Sequence, residues 1–221
     1  MSNDGLYEKL RSCISDHKNA LIQEKLKVRS RYVSFVFEQL YHDHNIDAAM
    51  RSIEACGFQD VHCIEQDKKR VHGSGTITKG SDYWLTEYRY NQPDMNTTQM
   101  CFDALRAQGY RLIGTSPHNT SSMMYTPEQI PLGTKIAVIF GNERSGLSEY
   151  ALSQLDACMR IPLYGFTESF NVSVSAAVVA YELRKRLQQH AYDTGLTQQE
   201  KFDLELSWLK RLVQSPEAGY E

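Results

Sequence analysis

The sequence has no excess of basic charge, no paired cysteine motif and no apolar run long enough to cross a membrane. Each absence narrows what the chain can do. The formal net charge at pH 7 is −3, so a polyanionic partner has to be met by a local basic patch rather than by the protein as a whole. Cys13, Cys56, Cys63, Cys101 and Cys158 are scattered, odd in number and never spaced Cys-x-x-Cys. They offer no metal framework and read as reduced thiols in a cytoplasmic protein. His42 and His44 stand close together, but no further ligands at useful spacing accompany them, so no metal is expected. No membrane partner is expected either, and Asp4 and Glu8 among the first residues do not read as a signal peptide. Gly73-Ser-Gly75 has neither the spacing of a dinucleotide fingerprint nor the Lys-Ser/Thr of a phosphate loop. The missing glycine pattern argues against a nicotinamide oxidoreductase.

What is present begins with helix. Residues 4–31 carry Leu6, Leu10, Ile14 and then Leu21, Ile22, Leu26 at helical spacing, in two pieces with a break expected around 16–19. Lys9, Arg11, Lys18, Lys25, Lys27, Arg29 and Arg31 outnumber Asp4, Glu8, Asp16 and Glu24 in this extension. A solvated helix face accounts for any one of them; as a group they are suited to grip phosphates.

From Tyr32 the pattern changes. Residues 32–40 are a strand by aromatic and β-branched content, 41–45 a polar turn, and 46–56 a helix stopped by Gly57. A strand follows at 60–65. This strand–helix–strand rhythm predicts an α/β domain with a parallel sheet. Residues 68–81 form a polar, glycine-rich loop, which reads either as a mobile connection or as a mobile substrate contact. A strand at 83–90, a helix at 96–108 ended by Gly109, a strand at 110–115 and a loop at 116–131 come next. Residues 135–140 are the most apolar strand, and Ser148 caps a further helix with Glu149 in its first turn. After residue 187 the chain becomes polar. Thr197-Gln-Gln-Glu200 has capping-box spacing, Phe202, Leu206, Leu209 and Val213 line one face of a last helix, and 215–221 read as a frayed end. The expected division is a basic helical extension over 1–31, one domain over 32–190, and a helical extension over 191–221.

Residues 161–182 are the stretch around which the rest is arranged. They open as a short apolar strand, turn at Gly165 and enter a helix that either Ser169 or Asn171 can cap. Val172, Ala176, Val179, Ala180, Leu183 and Leu187 mark one face of that helix, yet Val174, Ala177, Val178 and Tyr181 make the opposite face apolar too. A helix apolar all round requires cover all round, and a second subunit is the natural second cover.

Three stretches stand where strand meets helix: Asn45-Ile-Asp-Ala-Ala-Met-Arg51, Phe140-Gly-Asn-Glu-Arg-Ser-Gly-Leu-Ser148, and Ile161-Pro-Leu-Tyr-Gly-Phe-Thr-Glu-Ser-Phe-Asn171 with the helix after it. A bare strand-to-helix turn needs a glycine and a cap; it does not need Asn142, Glu143 and Arg144 together. In order, the three resemble the signature of the SPOUT superfamily, specifically its SpoU/TrmH family of RNA ribose 2′-O-methyltransferases, over about residues 32–190. The resemblance implies a mostly parallel sheet flanked by helices with a C-terminal trefoil knot, S-adenosyl-L-methionine as methyl donor, and an obligate homodimer. The general rule that chains are unknotted leads instead to a plain doubly wound sheet.

By the same resemblance, Asn45 and Arg51 belong to the substrate side, with Glu143 from the second motif and Ser169 and Asn171 from the third. The donor is expected against Thr115, Gly141, Asn142, Ile161, Leu163 and Phe170. Position 170 is more often leucine in the family, and Ile46-Asp47 replaces a smaller residue after the first asparagine. The family assigns activation of the ribose hydroxyl to the first-motif arginine, here Arg51. A guanidinium is an awkward base, so a phosphate clamp stands beside that role. Short helices at both ends, rather than a separate globular RNA-binding domain, point to the D-loop guanosine of tRNA. Ribosomal RNA or another tRNA position is the alternative within the class, and an RNA-binding scaffold without turnover is the alternative outside it.

Overall fold

The runs Val-Ser-Phe-Val-Phe-Glu and Ile-Ala-Val-Ile-Phe have almost no polar face, and such strands need cover on both sides. In the computed structural model, which describes residues 3–40, 42–65, 80–116, 123–189 and 194–214, they become β1 (Val33–Glu38) and β6 (Ile136–Phe140), buried along their whole length. The two pair in parallel at the centre of the sheet, with Phe35 opposite Val138. Beyond β1 lie β2 (Asp60–Ile64) and β3 (Thr86–Tyr90). Beyond β6 lie β4 (Arg111–Thr115), β7 (Ala157–Met159) and β5 (Met124–Tyr125). Among the described residues the order is β3-β2-β1-β6-β4-β7-β5, and every pairing is parallel.

Side chains alternate across that sheet, so each face builds its own core. On one face Phe35, Phe37, Val138 and Phe140 pack with Ile46, Met50 and Ile53 of α3 (Asp43–Ala55) and with Val179 and Leu183 of α6 (Val172–Gln189). On the other, Val36, Ala137 and Ile139 meet Phe102 and Leu105 of α4 (Thr97–Ala107) and Ala151 of α5 (Glu149–Gln154). Each fully buried phenylalanine or leucine here contributes about 1.5–3 kcal/mol. The expected α/β architecture holds.

Several boundaries move. The helix expected from residue 46 starts at Asp43, after His42, whose side chain makes no capping bond. Asn45 therefore lies inside the first turn, buried, and is not a cap. Gly57 (φ 76) and Gly109 (φ 81) do close α3 and α4, since the left-handed conformation costs glycine little. The strand expected from 83 begins only at Thr86, because Ser81–Tyr83 winds into a 3₁₀ turn after Gly80. β5 lies in the stretch read as loop and pairs Met124 with Cys158. The short strand expected at Ile161 is instead β7, three residues long and earlier in the chain; Pro162 has no N–H to give a ladder. Most of the glycine-rich loop, part of the 116–131 loop, and the frayed end lie outside the described residues.

His62 is buried under Tyr88, ring centroids 4.6 Å apart, with Nδ1 3.1 Å from the Tyr90 hydroxyl. Burial pushes its pKa down to about 4. The unfolded chain takes up that proton near pH 6.5, so the stability His62 contributes is complete above about 6.5 and is lost as pH falls through that window toward 4. The loss is on the order of 3 kcal/mol. His62→Phe should flatten this slope, read as urea midpoints at pH 7.5 and pH 5; an equal drop in variant and wild type would refute it.

A second unit comprises Met1–Ser30 and Thr194–Glu221. It contains α1 (Asn3–Arg11), α2 (Asp16–Val28) and α7 (Gln198–Gln214). The break between the first two falls at 12–15, earlier than expected, because the Ser15 hydroxyl accepts from Lys18 N at 3.2 Å and caps α2. The capping box forms: Thr197 N donates to Glu200 Oε2 (2.8 Å) and Glu200 N to Thr197 Oγ1 (3.2 Å). α7 buries Leu204, Leu206, Trp208, Leu209 and Leu212, while Phe202 is only half-buried against Tyr7 and Val213 stays exposed. Several of the basic residues are used internally. Arg29 is buried with its guanidinium 5.4 Å from the Trp208 ring, Arg11 lies 4.0 Å from Glu205, and Lys25 pairs with Glu24 at 2.8 Å. Arg31, in the larger unit, is paired with Asp60 at 2.5 Å. Lys9 and Lys27 remain exposed. No described helix is long and apolar enough to cross a membrane.

Candidate active site

Parallel strands deliver their carboxyl ends to one edge of the sheet, and ligands of open α/β sheets lie there. At that edge β4, β6 and β7 open onto a cleft of about 1100 Å³. Its walls are the end of β4 at Thr115, the loop after β6, the segment after β7, and the entry to α6. All six residues expected to face the donor line it: Thr115, Gly141, Asn142, Ile161, Leu163 and Phe170.

The loop after β6 holds its shape by its own bonds. Asn142 N donates to Gly146 O and Gly146 N to Asn142 O, both at 2.9 Å. The Asn142 side chain is turned to the protein: Oδ1 accepts from Arg144 N (2.8 Å) and Nδ2 donates to the Gln39 carbonyl. A Cβ at Gly141 would sit 2.2 Å from the Gly146 carbonyl carbon and 2.3 Å from Leu147 N. Glycine at 141 thus admits the close approach of the loop's own backbone. Ser148 caps α5 as expected, accepting from Ala151 N at 3.1 Å.

Three motif residues meet beside this loop. Of the two candidate caps of α6, Asn171 is the one used: its carbonyl accepts from Ser175 N (2.9 Å), and Oδ1 accepts from Ser173 N (2.8 Å) and Ser173 Oγ (2.7 Å). That commits its oxygen to the helix and turns its amide N–H toward Asn45, which accepts at Oδ1 (3.2 Å). Asn45 then has its own amide N–H left for Glu143 Oε1, at 2.7 Å. Each group's role follows from its neighbour's, and only one amide orientation satisfies the chain. The effect is a carboxylate held at the cleft wall by a relay that runs through buried Asn45 and reaches back to a helix cap.

Ser169 lies exposed on the cleft wall. Arg51 is exposed on α3 and is not among the residues lining the cleft. Six residues beyond Asn45, it projects roughly 120° around the helix and about 9 Å along it. Met159, Arg160 and Tyr164 also line the cleft, and sequence reasoning did not single them out. Glu38 was missed as well, although an acidic residue closing an otherwise apolar strand is a legible signal.

A family model described as the SpoU rRNA Methylase family matches residues 32–181. The tRNA (guanosine(18)-2′-O)-methyltransferase of Borreliella burgdorferi is 34% identical over 202 residues, covering 91% of this chain and 88% of that protein. The crystal structure of the A. aeolicus TrmH/SpoU tRNA modifying enzyme superposes with a TM-score of 0.75 at 20% identity, over 94% of this chain and 98% of that one. The SpoU methyltransferase AviRb from Streptomyces viridochromogenes, in complex with AdoMet, gives a TM-score of 0.59 at 22% identity, over 76% and 65%.

Proposed function

The chain belongs to the SpoU rRNA methylase family, and from that premise we propose that it methylates the ribose 2′-hydroxyl of RNA, at guanosine 18 in the D-loop of tRNA, with S-adenosyl-L-methionine as donor. The observation that carries the reading is the Asn171–Asn45–Glu143 relay beside a cleft at the carboxyl edge of the sheet. The cleft is large enough for a donor of that size. Ile161, Leu163 and Phe170 offer apolar contact, and residues 161–170 adopt neither helix nor strand, which leaves main-chain amides uncommitted to a ladder. Bound there, the donor supplies an electrophilic methyl group. The chain's own part is to hold the hydroxyl in line and relieve it of its proton. Asn45 and Asn171 fix Glu143 in that role, Ser169 faces the same space, and Arg51 reaches the RNA from outside the cleft.

The match to the Borreliella relative covers 91% of this chain and so reaches into both helical extensions, which supports tRNA as substrate. Lys9 and Lys27 are exposed cations of the N-terminal extension, suited to phosphates. A homodimer belongs to the same reading. Val174, Val178 and Tyr181 are 44, 38 and 69% exposed along one stripe of α6, a face that a second copy would cover. So does the trefoil knot, supported by a sheet in which β6 enters between β1 and β4 and the chain then returns across the carboxyl edge. Five free thiols suit the cytoplasm.

Isotope-labelled S-adenosylmethionine and unmodified tRNA, followed by nuclease digestion and mass spectrometry, test the reading. A 2′-O-methylguanosine in the D-loop fragment is the expected product. Methylation confined to ribosomal RNA would move the substrate, and no donor binding would overturn the reaction. Arg51→Lys should bind donor normally yet turn over at least about tenfold more slowly, since an ammonium cannot reproduce the planar fork. Near-normal turnover would leave Arg51 a charge and nothing more.

A further inference from the structure

Glu38 is a carboxylate with almost no exposure at the carboxyl end of β1, and it accepts from three donors. Thr98 Oγ1 and Ser148 Oγ donate to its Oε1 at 2.8 and 2.7 Å, and Ser148 N donates to Oε2 at 2.9 Å. Thr98 stands in the first turn of α4, and Ser148 is the cap of α5. One side chain therefore ties two helix starts to the end of the central strand. The next residue, Gln39, takes a positive φ of 51° and offers its carbonyl to Asn142 Nδ2. The loop from 141 to 148 is thus tethered at both ends to neighbouring residues of β1's exit, Asn142 to Gln39 and Ser148 to Glu38. The same exit leads into α3 and Asn45.

We infer that Glu38 is a positioning residue: its carboxylate sets the 141–148 loop so that Glu143 meets Asn45 and the cleft wall stands in place. The chemistry of the group fits this role. All three partners donate and none accepts, so an acceptor-only side chain satisfies the site, whereas a glutamine would turn an N–H₂ toward one of them. Buried, the arrangement tolerates no water substitute without cost. The inference rests on the methyl-transfer reading for its kinetic consequence alone; the placement of the loop stands on these bonds.

Full-length Glu38→Gln and Ser148→Ala, each first shown to melt cooperatively, provide the test; Ser148→Ala removes only a hydroxyl and serves if Glu38→Gln does not fold. Amide exchange across 141–148 should speed up at least about tenfold in both, while α3 exchanges as in wild type. Donor affinity by calorimetry and kcat should fall by at least about tenfold, with KM for tRNA unchanged. The double variant should be no worse than the poorer single one, because both act through one contact. Wild-type exchange in 141–148 together with wild-type donor affinity, in a folded Glu38→Gln, would overturn the inference. If wild type itself binds no donor, the methyl-transfer reading falls, and exchange at 141–148 alone decides the role of Glu38.

Discussion

Asn45→Ala should lower kcat for methyl transfer by at least about a hundredfold, because a displacement near 1 Å of a positioned group costs that much. The substitution leaves Glu143 Oε1 without the donor now 2.7 Å away and Asn171 Nδ2 without its acceptor at 3.2 Å. The stability loss is smaller, about 0.5–1.5 kcal/mol for each hydrogen bond lost, because Glu143 and Asn171 are exposed to water, so the variant should still fold. Asn45→Asp should be as poor for a different reason: it keeps the acceptor for Asn171 but sets a second carboxylate against Glu143. Adding Glu143→Gln to Asn45→Asp exchanges donor and acceptor across the contact, so the thermal melt should recover while turnover stays low, because a carboxamide cannot take the hydroxyl's proton. Initial rates on unmodified tRNA, beside thermal melts, read all of these variants. A folded Asn45→Ala with near wild-type kcat would show that the relay only supports the fold.

Val178→Arg should abolish the proposed homodimer. The side chain lies at the middle of the exposed apolar stripe of α6, 38% exposed, with Val174 one turn before it and Tyr181 one turn after. A two-fold contact would meet the new charge twice, and an uncompensated buried charge costs several kcal/mol. The dimer should weaken at least about a thousandfold, seen by sedimentation at micromolar concentration. The thermal transition of the protomer should move little, since the opposite face, with Val179, Ala180 and Leu183, makes the intramolecular core. A wild type that sediments as a monomer, or a variant that stays dimeric, would remove this stripe from the interface.

The division of α6 was legible from its sequence: the residues assigned to the inner face are the buried ones, and Val174, Val178 and Tyr181 are left outside. So were the closing glycines, the cap at Ser148 and the Thr197–Glu200 box, because each is a bond between near neighbours. The errors share a cause. β5 is two residues long and β7 three, so neither carries a period; β7 forms because β4 is there to pair with it, and β5 because β7 is. In α7 a stripe of helical spacing was chosen among several apolar residues, and packing within the helical unit selected Leu204, Trp208 and Leu212 in place of Phe202 and Val213.

The sequence alone determined the rhythm of strands and helices, the three junction motifs and the family they resemble, since local backbone preference and side-chain spacing suffice for these. Tertiary structure decided which of the junction residues touch. Asn45 and Glu143 are 98 residues apart in the chain, and Asn45 and Asn171 are 126 apart. They meet because β1 and β6 are neighbours and end at the same edge, and because Asn171 caps the helix that packs beside α3 on that face. Arg51, in the same motif as Asn45, is carried to another side of α3 by the turn of the helix. Glu38, visible in the sequence only as the one charge of its strand, becomes the tether of two helix starts. Hydrogen bonds over such separations depend on strand order, and no local pattern encodes them.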